Sequence, residues 1–242
     1  MKYALVTGGS RGIGRAICLK LAEMGYNILI NYVSNDRNAE EVNALVISKG
    51  VSSEVLKFDV GNAQQVNEVL SSWIENNPTK KIEILVNNAG IRKDGLMMFM
   101  SDDDWNGVMN ANVGGFFTVT RLVVKNMIRN RYGRIINIVS LSGLKGLAGQ
   151  TNYSASKAAV IGATKALAQE IGKKNVTVNA IAPGYIRTEM IQEIKEDDVK
   201  SSIPANRFGE PEEVADLTGF LASKNASYIN GQVISINGGL YT

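Results

Sequence analysis

A chain of 242 residues with 45% apolar content can bury a full core, and α/β folds of this length often stand undivided, so one domain over 1–242 is expected. Its 26 basic and 23 acidic residues leave a net charge of +3 and are interspersed apart from Arg129-Asn-Arg131-Tyr-Gly-Arg134, which argues against a nucleic-acid footprint. With no histidine and one cysteine, a zinc centre, a Ser-His-Asp triad and an intrachain disulfide framework all lack their residues, and Cys18 falls in a helical pattern as a core thiol.

No apolar run approaches membrane length, and Lys2 is followed by too few apolar residues before Gly8 for a signal peptide, so a soluble cytoplasmic protein is expected. Short apolar runs then alternate with helical patterns. Tyr3 to Thr7 reads as a buried strand, followed by Ile13, Ala16, Ile17 and Leu21 at helical spacing. The second strand and helix are expected at Asn27–Tyr32 and Ala39–Lys49, the third at Val51–Phe58 and Ala63–Ile74, and the fourth strand at Ile82–Asn87. Ser101 followed by three aspartates suits a helix N-terminus. Arg134–Ser140, Thr177–Ala182 and Gln232–Asn237 read as further strands, with helices at Tyr153–Gly172 and Pro211–Leu221. This rhythm predicts a Rossmann-like, doubly wound parallel sheet of seven strands with helices on both faces.

Three features carry chemistry. The first connection, Thr7-Gly-Gly-Ser-Arg-Gly-Ile-Gly14, spaces its glycines as Gly8, Gly12 and Gly14, unlike the G-x-G-x-x-G loop. Glycines there tighten the turn and let the backbone approach pyrophosphate, so Gly8, Ser10, Arg11, Gly12, Ile13 and Gly14 are expected to meet a dinucleotide at the following helix N-terminus. Tyr153 and Lys157 are four residues apart on one helix face, where the ammonium is expected to stabilise a phenolate and lower the tyrosine pKa. Ser140 lies thirteen residues upstream, and its hydroxyl would hold a carbonyl oxygen beside the phenol. Together these read as hydride transfer to a ketone. The second strand ends in Asn31-Tyr32, with no acid for an adenosine ribose, and Arg11 would pair with a 2′-phosphate, so NADPH is expected over NADH.

The ordered set Thr7-Gly-x-x-x-Gly12-x-Gly14, Asp59-Val60, Asn87-Asn-Ala-Gly90, Asn112, Ser140, Tyr153-x-x-x-Lys157 and Pro183-Gly184 resembles the short-chain dehydrogenases/reductases over essentially the whole chain. Gln150-Thr-Asn-Tyr153, Val176 to Gly184, Arg207 to Val214 and Gly231 to Gly239 are similar to the bacterial 3-oxoacyl-acyl-carrier-protein reductases of that family. The resemblance implies that Asp59 and Val60 contact adenine, that Asn87, Ala89 and Gly90 line the adenosine side, and that Pro183, Gly184, Ile186 and Thr188 cover the nicotinamide. It also implies that Lys157 binds the nicotinamide ribose, that Asn112 distorts its helix and helps hold a relay water, and that Ser140, Gln150 and Tyr153 meet the substrate. No metal is implied.

Ser142 rivals Ser140, since strand alternation would put both on one face; the resemblance favours Ser140. The segment Ile91-Arg-Lys-Asp94 lacks the threonine found in many of these reductases. The carrier is therefore open between acyl-carrier protein and coenzyme A, including acetoacetyl-CoA, and the pathway between fatty-acid and polyene or polyketide assembly. Another small ketone, or a catalytically silent cofactor-binding subunit, are the competing functions. Arg129, Arg131 and Lys174 are candidate docking cations at the active-site rim for an acidic carrier protein. Leu96-Met-Met-Phe-Met100 is expected to serve ordinary packing or a subunit contact rather than an acyl chain. The apolar end from Val233 to Thr242, with Gly114, Gly115, Ala158, Ala159, Gly162 and Ala163, suggests subunit contacts in a homotetramer, as the resemblance implies.

Overall fold

The computed structural model describes residues 1–242. Strands form where apolar runs are continuous, because a parallel sheet covered on both faces gives both side-chain alternations an apolar neighbour. They are β1 (Lys2–Val6), β2 (Asn27–Tyr32), β3 (Ser53–Lys57), β4 (Lys81–Asn87), β5 (Gly133–Ile138), β6 (Val176–Pro183) and β7 (Val233–Ile236). All pair in parallel, in the order β3-β2-β1-β4-β5-β6-β7. The fold is the expected Rossmann-like α/β sheet.

Alternation along β1 divides the core. Ala4 and Val6 join Ile17, Leu21, Val42 and Val214 beneath the helices Gly12–Glu23, Asp36–Ser48 and Pro211–Ala222. Tyr3 and Leu5 join Val119, Met127 and Ile171 beneath Gly115–Asn130 and Thr151–Ile171 on the other face. Leu5 and Leu21 have no exposed surface, so truncating either to alanine costs about 2–5 kcal/mol. Cys18 is fully buried in the first layer, as expected, and burial pushes its thiol pKa up.

Successive strands run outward in both directions from the β1/β4 boundary, where the chain order switches and a crevice opens beyond the strand ends. The register pairs Val6 with Val86, Asn87 with Asn137, and Asn137 with Ala180. The loops after β1, β4, β5 and β6 therefore leave from one edge.

Most boundaries fall within a few residues of expectation. Ser101 caps its helix by accepting from the Asp104 N–H, and Asn35 likewise accepts from Asn38. Four differences matter. First, β5 stops at Ile138, and Ser142–Lys145 is a short helical turn, so strand alternation does not relate Ser140 to Ser142. Second, Arg129 and Arg131 precede β5 and Lys174 precedes β6, placing them at the edge opposite Ser140 within the chain, ~20 Å of strand away. They do not rim this chain's own site. Third, Leu96, Met97, Met98 and Phe99 are exposed and do no packing in this chain's interior, because only a single 3₁₀ turn, Met97–Phe99, holds them outside the layers. Fourth, the apolar C-terminal segment is largely used within its own chain: β7 pairs with β6, and Ile234 and Ile236 pack on the first core layer.

Candidate active site

The glycine connection is built from both sides of the crevice. Thr7 Oγ1 accepts from the backbone N–H groups of Asn88 and Ala89, each at 3.0 Å. Asn88 returns its amide to the carbonyls of Thr7 at 2.9 Å and Gly8 at 3.1 Å. Gly8 has φ +63, and a Cβ on Gly14 would stand 2.1 Å from the Gly8 carbonyl oxygen, so the loop folds back on its helix only because both are glycine. Arg11 precedes the helix without capping it by side chain, leaving first-turn N–H groups directed at the crevice. The sequence marks Thr7 and Asn88 only as members of their motifs; that they hold the loop is revealed by the pairing of β1 with β4.

The second-strand end differs from expectation. Asn31 has no exposed surface; its Oδ1 accepts from the Gly8 N–H, and its amide donates to the carbonyls of Phe58 at 2.9 Å and Leu56 at 3.3 Å. It is a clip between β2, β3 and the glycine loop, not a group facing a ribose. Tyr32 is also buried, and Asp36 near it is ion-paired with Lys57 at 2.7 Å. The carboxylate nearest this strand end is thus neutralised. Arg11 pairs with Glu189 across the mouth of the crevice. Asp59 accepts from the Gly61 N–H, and Val60 packs against Gly115, where a Cβ would come within 2.9 Å of it.

Asn87 borders the crevice, but its amide hydrogens go to Thr120 Oγ1 and Asn137 Oδ1, so it braces β4 against β5 and the following helix. Gly90 is required by space: a Cβ there would lie 2.9 Å from Asn112 Oδ1 and 3.3 Å from Lys157 Nζ. Asn112 sits in a π-type widening at Asn110–Gly114, in line with the expected helix distortion. Its amide donates to the Ile91 carbonyl and Ser156 Oγ, and its oxygen accepts from the Ile91 N–H. One side-chain hydrogen is therefore committed to the loop after β4 and the other to the Tyr153 helix.

Ser140, Tyr153 and Lys157 are brought together by β5 and the Thr151–Ile171 helix. All three line one cavity, with the Ser140 hydroxyl close enough to the phenol to favour its charged form. Lys157 Nζ donates to the Ile138 carbonyl at 2.9 Å and stands 5.6 Å from the Tyr153 ring centroid. Burial raises the Tyr153 pKa, opposed by the Ser140 hydroxyl and the charge of Arg92 and reinforced by Asp94. Burial also lowers Lys157 to about 8. The expected lowering of the tyrosine by Lys157 is not realised here: burial dominates, and the groups that oppose it are Ser140 and Arg92.

A cavity of about 390 Å³ joins these groups to the glycine loop, reaching from Ile13 and Gly90 to Ser140 and Tyr153 and on to Pro183, Gly184, Ile186 and Thr188. Ile186 is buried against Gly209, and Thr188 approaches Gly12 within 3.3 Å of a Cβ position there. The residues present fit a dinucleotide: a glycine cradle at one end, and a phenol, a hydroxyl and an ammonium at the other. Beyond them, Leu147, Met190, Ile191, Ile194 and Leu240 form an apolar wall. No motif signals that wall, since it comes from three separate chain segments.

A family signature described as Enoyl-(Acyl carrier protein) reductase matches residues 8–241. The chain is 43% identical over 243 residues to the 3-oxoacyl-[acyl-carrier-protein] reductase FabG of Staphylococcus epidermidis, covering 99% of each. It is 42% identical to the 3-oxoacyl-[acyl-carrier-protein] reductase of Synechocystis, over 99% of this chain and 96% of that one. To the FabG protein of Vibrio harveyi it is 42% identical over 99% of this chain and 97% of the relative.

Proposed function

From its membership of the short-chain dehydrogenase/reductase family, to which this chain belongs over its whole length, we propose that it reduces 3-oxoacyl thioesters to 3-hydroxyacyl thioesters with NADPH, in acyl-chain biosynthesis. The observation that carries this reading is the convergence of Ser140, Tyr153 and Lys157 on one cavity that also reaches the glycine loop at Ile13. Two hydroxyl donors meeting at one point suit a carbonyl oxygen that becomes an alcohol. An enoyl substrate, named in the matching signature's description, would instead need its proton at carbon.

Gly8 to Gly14 would hold the pyrophosphate, Asp59 and Val60 the adenine, and Lys157 with Pro183, Gly184, Ile186 and Thr188 the nicotinamide end. When bound, the nicotinamide supplies hydride to the carbonyl carbon. Ser140 donates a hydrogen bond to the carbonyl oxygen, and Tyr153 transfers its proton there. Lys157, protonated below about 8, then stabilises the phenolate from the same helix face. Ile138, through its carbonyl, keeps that ammonium in place. Asn112 acts by fixing Ile91 and Ser156, which keeps Gly90 beside Lys157.

The preference for NADPH rests on charge. Asp36 is paired with Lys57 and Asn31 is turned inward, so no free carboxylate meets the 2′ position, while Arg11, beside the glycine loop, would have to exchange its exposed pair with Glu189 for the 2′-phosphate. A homotetramer is part of the same proposal, supported by the exposure of Ala158, Ala159 and Gly162 on the Tyr153 helix and of Leu96 to Phe99. No helix is long and apolar enough to cross a membrane. The decisive experiment follows NADPH consumption with acetoacetyl thioesters of acyl-carrier protein and of coenzyme A. Turnover of the carrier-protein ester supports the reading, and failure with both esters refutes it.

A further inference from the structure

We propose that Asp94, through Gln150 and Ser142, is a positioning residue that fixes Ser140 as a hydrogen-bond donor to the substrate carbonyl. The chain of contacts is continuous. Gln150 Nε2 donates to Asp94 Oδ2 at 3.1 Å, Ser142 Oγ donates to Gln150 Oε1 at 2.8 Å, and the Ser142 backbone N–H donates to Ser140 Oγ at 3.1 Å. A carboxylate only accepts, so Asp94 admits one orientation of the Gln150 amide: nitrogen towards Asp94, oxygen towards Ser142. The Ser142 hydroxyl must then donate, which anchors a side chain only 4% exposed and holds its N–H on Ser140. Accepting from that N–H fixes the Ser140 oxygen at the cavity wall and leaves its own hydrogen available to donate.

The anchor is itself held. Arg92 Nε lies 3.3 Å from Asp94 Oδ2, the Gly95 N–H donates to the Gly149 carbonyl at 2.8 Å, and Asn152 donates to the Lys93 carbonyl at 3.0 Å. The loop after β4 is thus latched to the segment that leads into the Tyr153 helix. Gln150, expected to meet substrate, has both ends of its amide engaged in this chain and acts through Ser142 instead.

The proposal rests on the ketoreductase reading, and a double-substitution cycle tests it apart from that reading. Gln150→Glu sets two carboxylates facing each other and breaks the chain. Adding Asp94→Asn restores it with reversed polarity, because the new asparagine amide donates to one oxygen of the new glutamate while Ser142 donates to the other. We expect Gln150→Glu to lower kcat roughly tenfold, short of the ~10²–10³ for deleting such a donor, with KM and NADPH affinity nearly unchanged. The double variant should recover most of that loss. Ser142→Ala breaks the same link without adding charge and should lower kcat similarly, which decides the matter if Gln150→Glu does not fold. Wild-type kcat in Gln150→Glu, or a double variant no better than the single, overturns the proposal. A wild-type protein inactive on every 3-oxoacyl thioester overturns the ketoreductase reading and this proposal with it.

Discussion

Lys157 stands 5.6 Å from the centroid of the Tyr153 ring and gives its hydrogen bond to the Ile138 carbonyl rather than to the phenol. The pair acts through space and through the backbone that holds it. Both groups are buried, and burial penalises the charged form of each, raising the phenol and lowering the ammonium. A phenol kept protonated suits the proposed role of proton donor.

Tyr153→Phe keeps the ring and removes the proton. Turnover should fall by roughly 10²-fold or more while NADPH binding, followed by fluorescence, persists. Near wild-type turnover in this variant would show that another group is the acid.

The pH dependence should carry the mark of Lys157. Its folded pKa of about 8 lies below the ordinary 10.5, so the ammonium is lost as pH rises through about 8 in the cofactor-free protein. The alkaline limb of kcat/KM, which reports free-enzyme groups, is therefore expected near that value, and Lys157→Arg should move it upward. Stability runs the opposite way. The unfolded chain binds the proton more tightly, so the buried charge destabilises the fold below about 8, and the penalty is relieved between about 8 and 10.5. Lys157→Met should melt at a higher temperature than wild type at pH 7 while losing activity. A lower melting temperature would contradict the burial argument.

At the second-strand end, Arg11→Ala should reduce kcat/KM with NADPH more than with NADH, narrowing the preference by roughly tenfold, as loss of one charge-assisted contact would. Asn31→Asp should not produce an NADH enzyme. It sets a carboxylate against the Leu56 and Phe58 carbonyls and removes both amide donors, costing about 1–3 kcal/mol of stability in chemical denaturation. Equal kcat/KM for both cofactors in the unmodified protein would remove the charge argument.

Assembly is tested by light scattering at micromolar protein, with a tetramer expected. Gly162→Glu, on an exposed stretch of the Tyr153 helix with nothing within 4 Å of its Cβ position, should dissociate the assembly without unfolding the chain. A fully active monomer would uncouple assembly from catalysis.

The sequence by itself determined the sheet and brought forward the proposed reacting groups, because both are written in local terms. Periodicity marks strands and helices, glycine spacing marks the turn after β1, and four-residue spacing puts Tyr153 and Lys157 on one face. What it could not determine is which polar side chains face the cavity and which hold it open. Asn31 and Asn87 lie in motif positions yet turn inward to carbonyls and amides of neighbouring strands, while Thr7 and Asn88 brace the glycine loop across the β1/β4 pairing. Ser142 and Gln150 meet only because β5 ends at Ile138 and the chain turns there. The sign of the Tyr153 shift was likewise decided by tertiary structure. Sequence spacing supplies the neighbouring ammonium, but the desolvation that dominates the shift depends on how many layers of atoms close over the site, a quantity with no local signature.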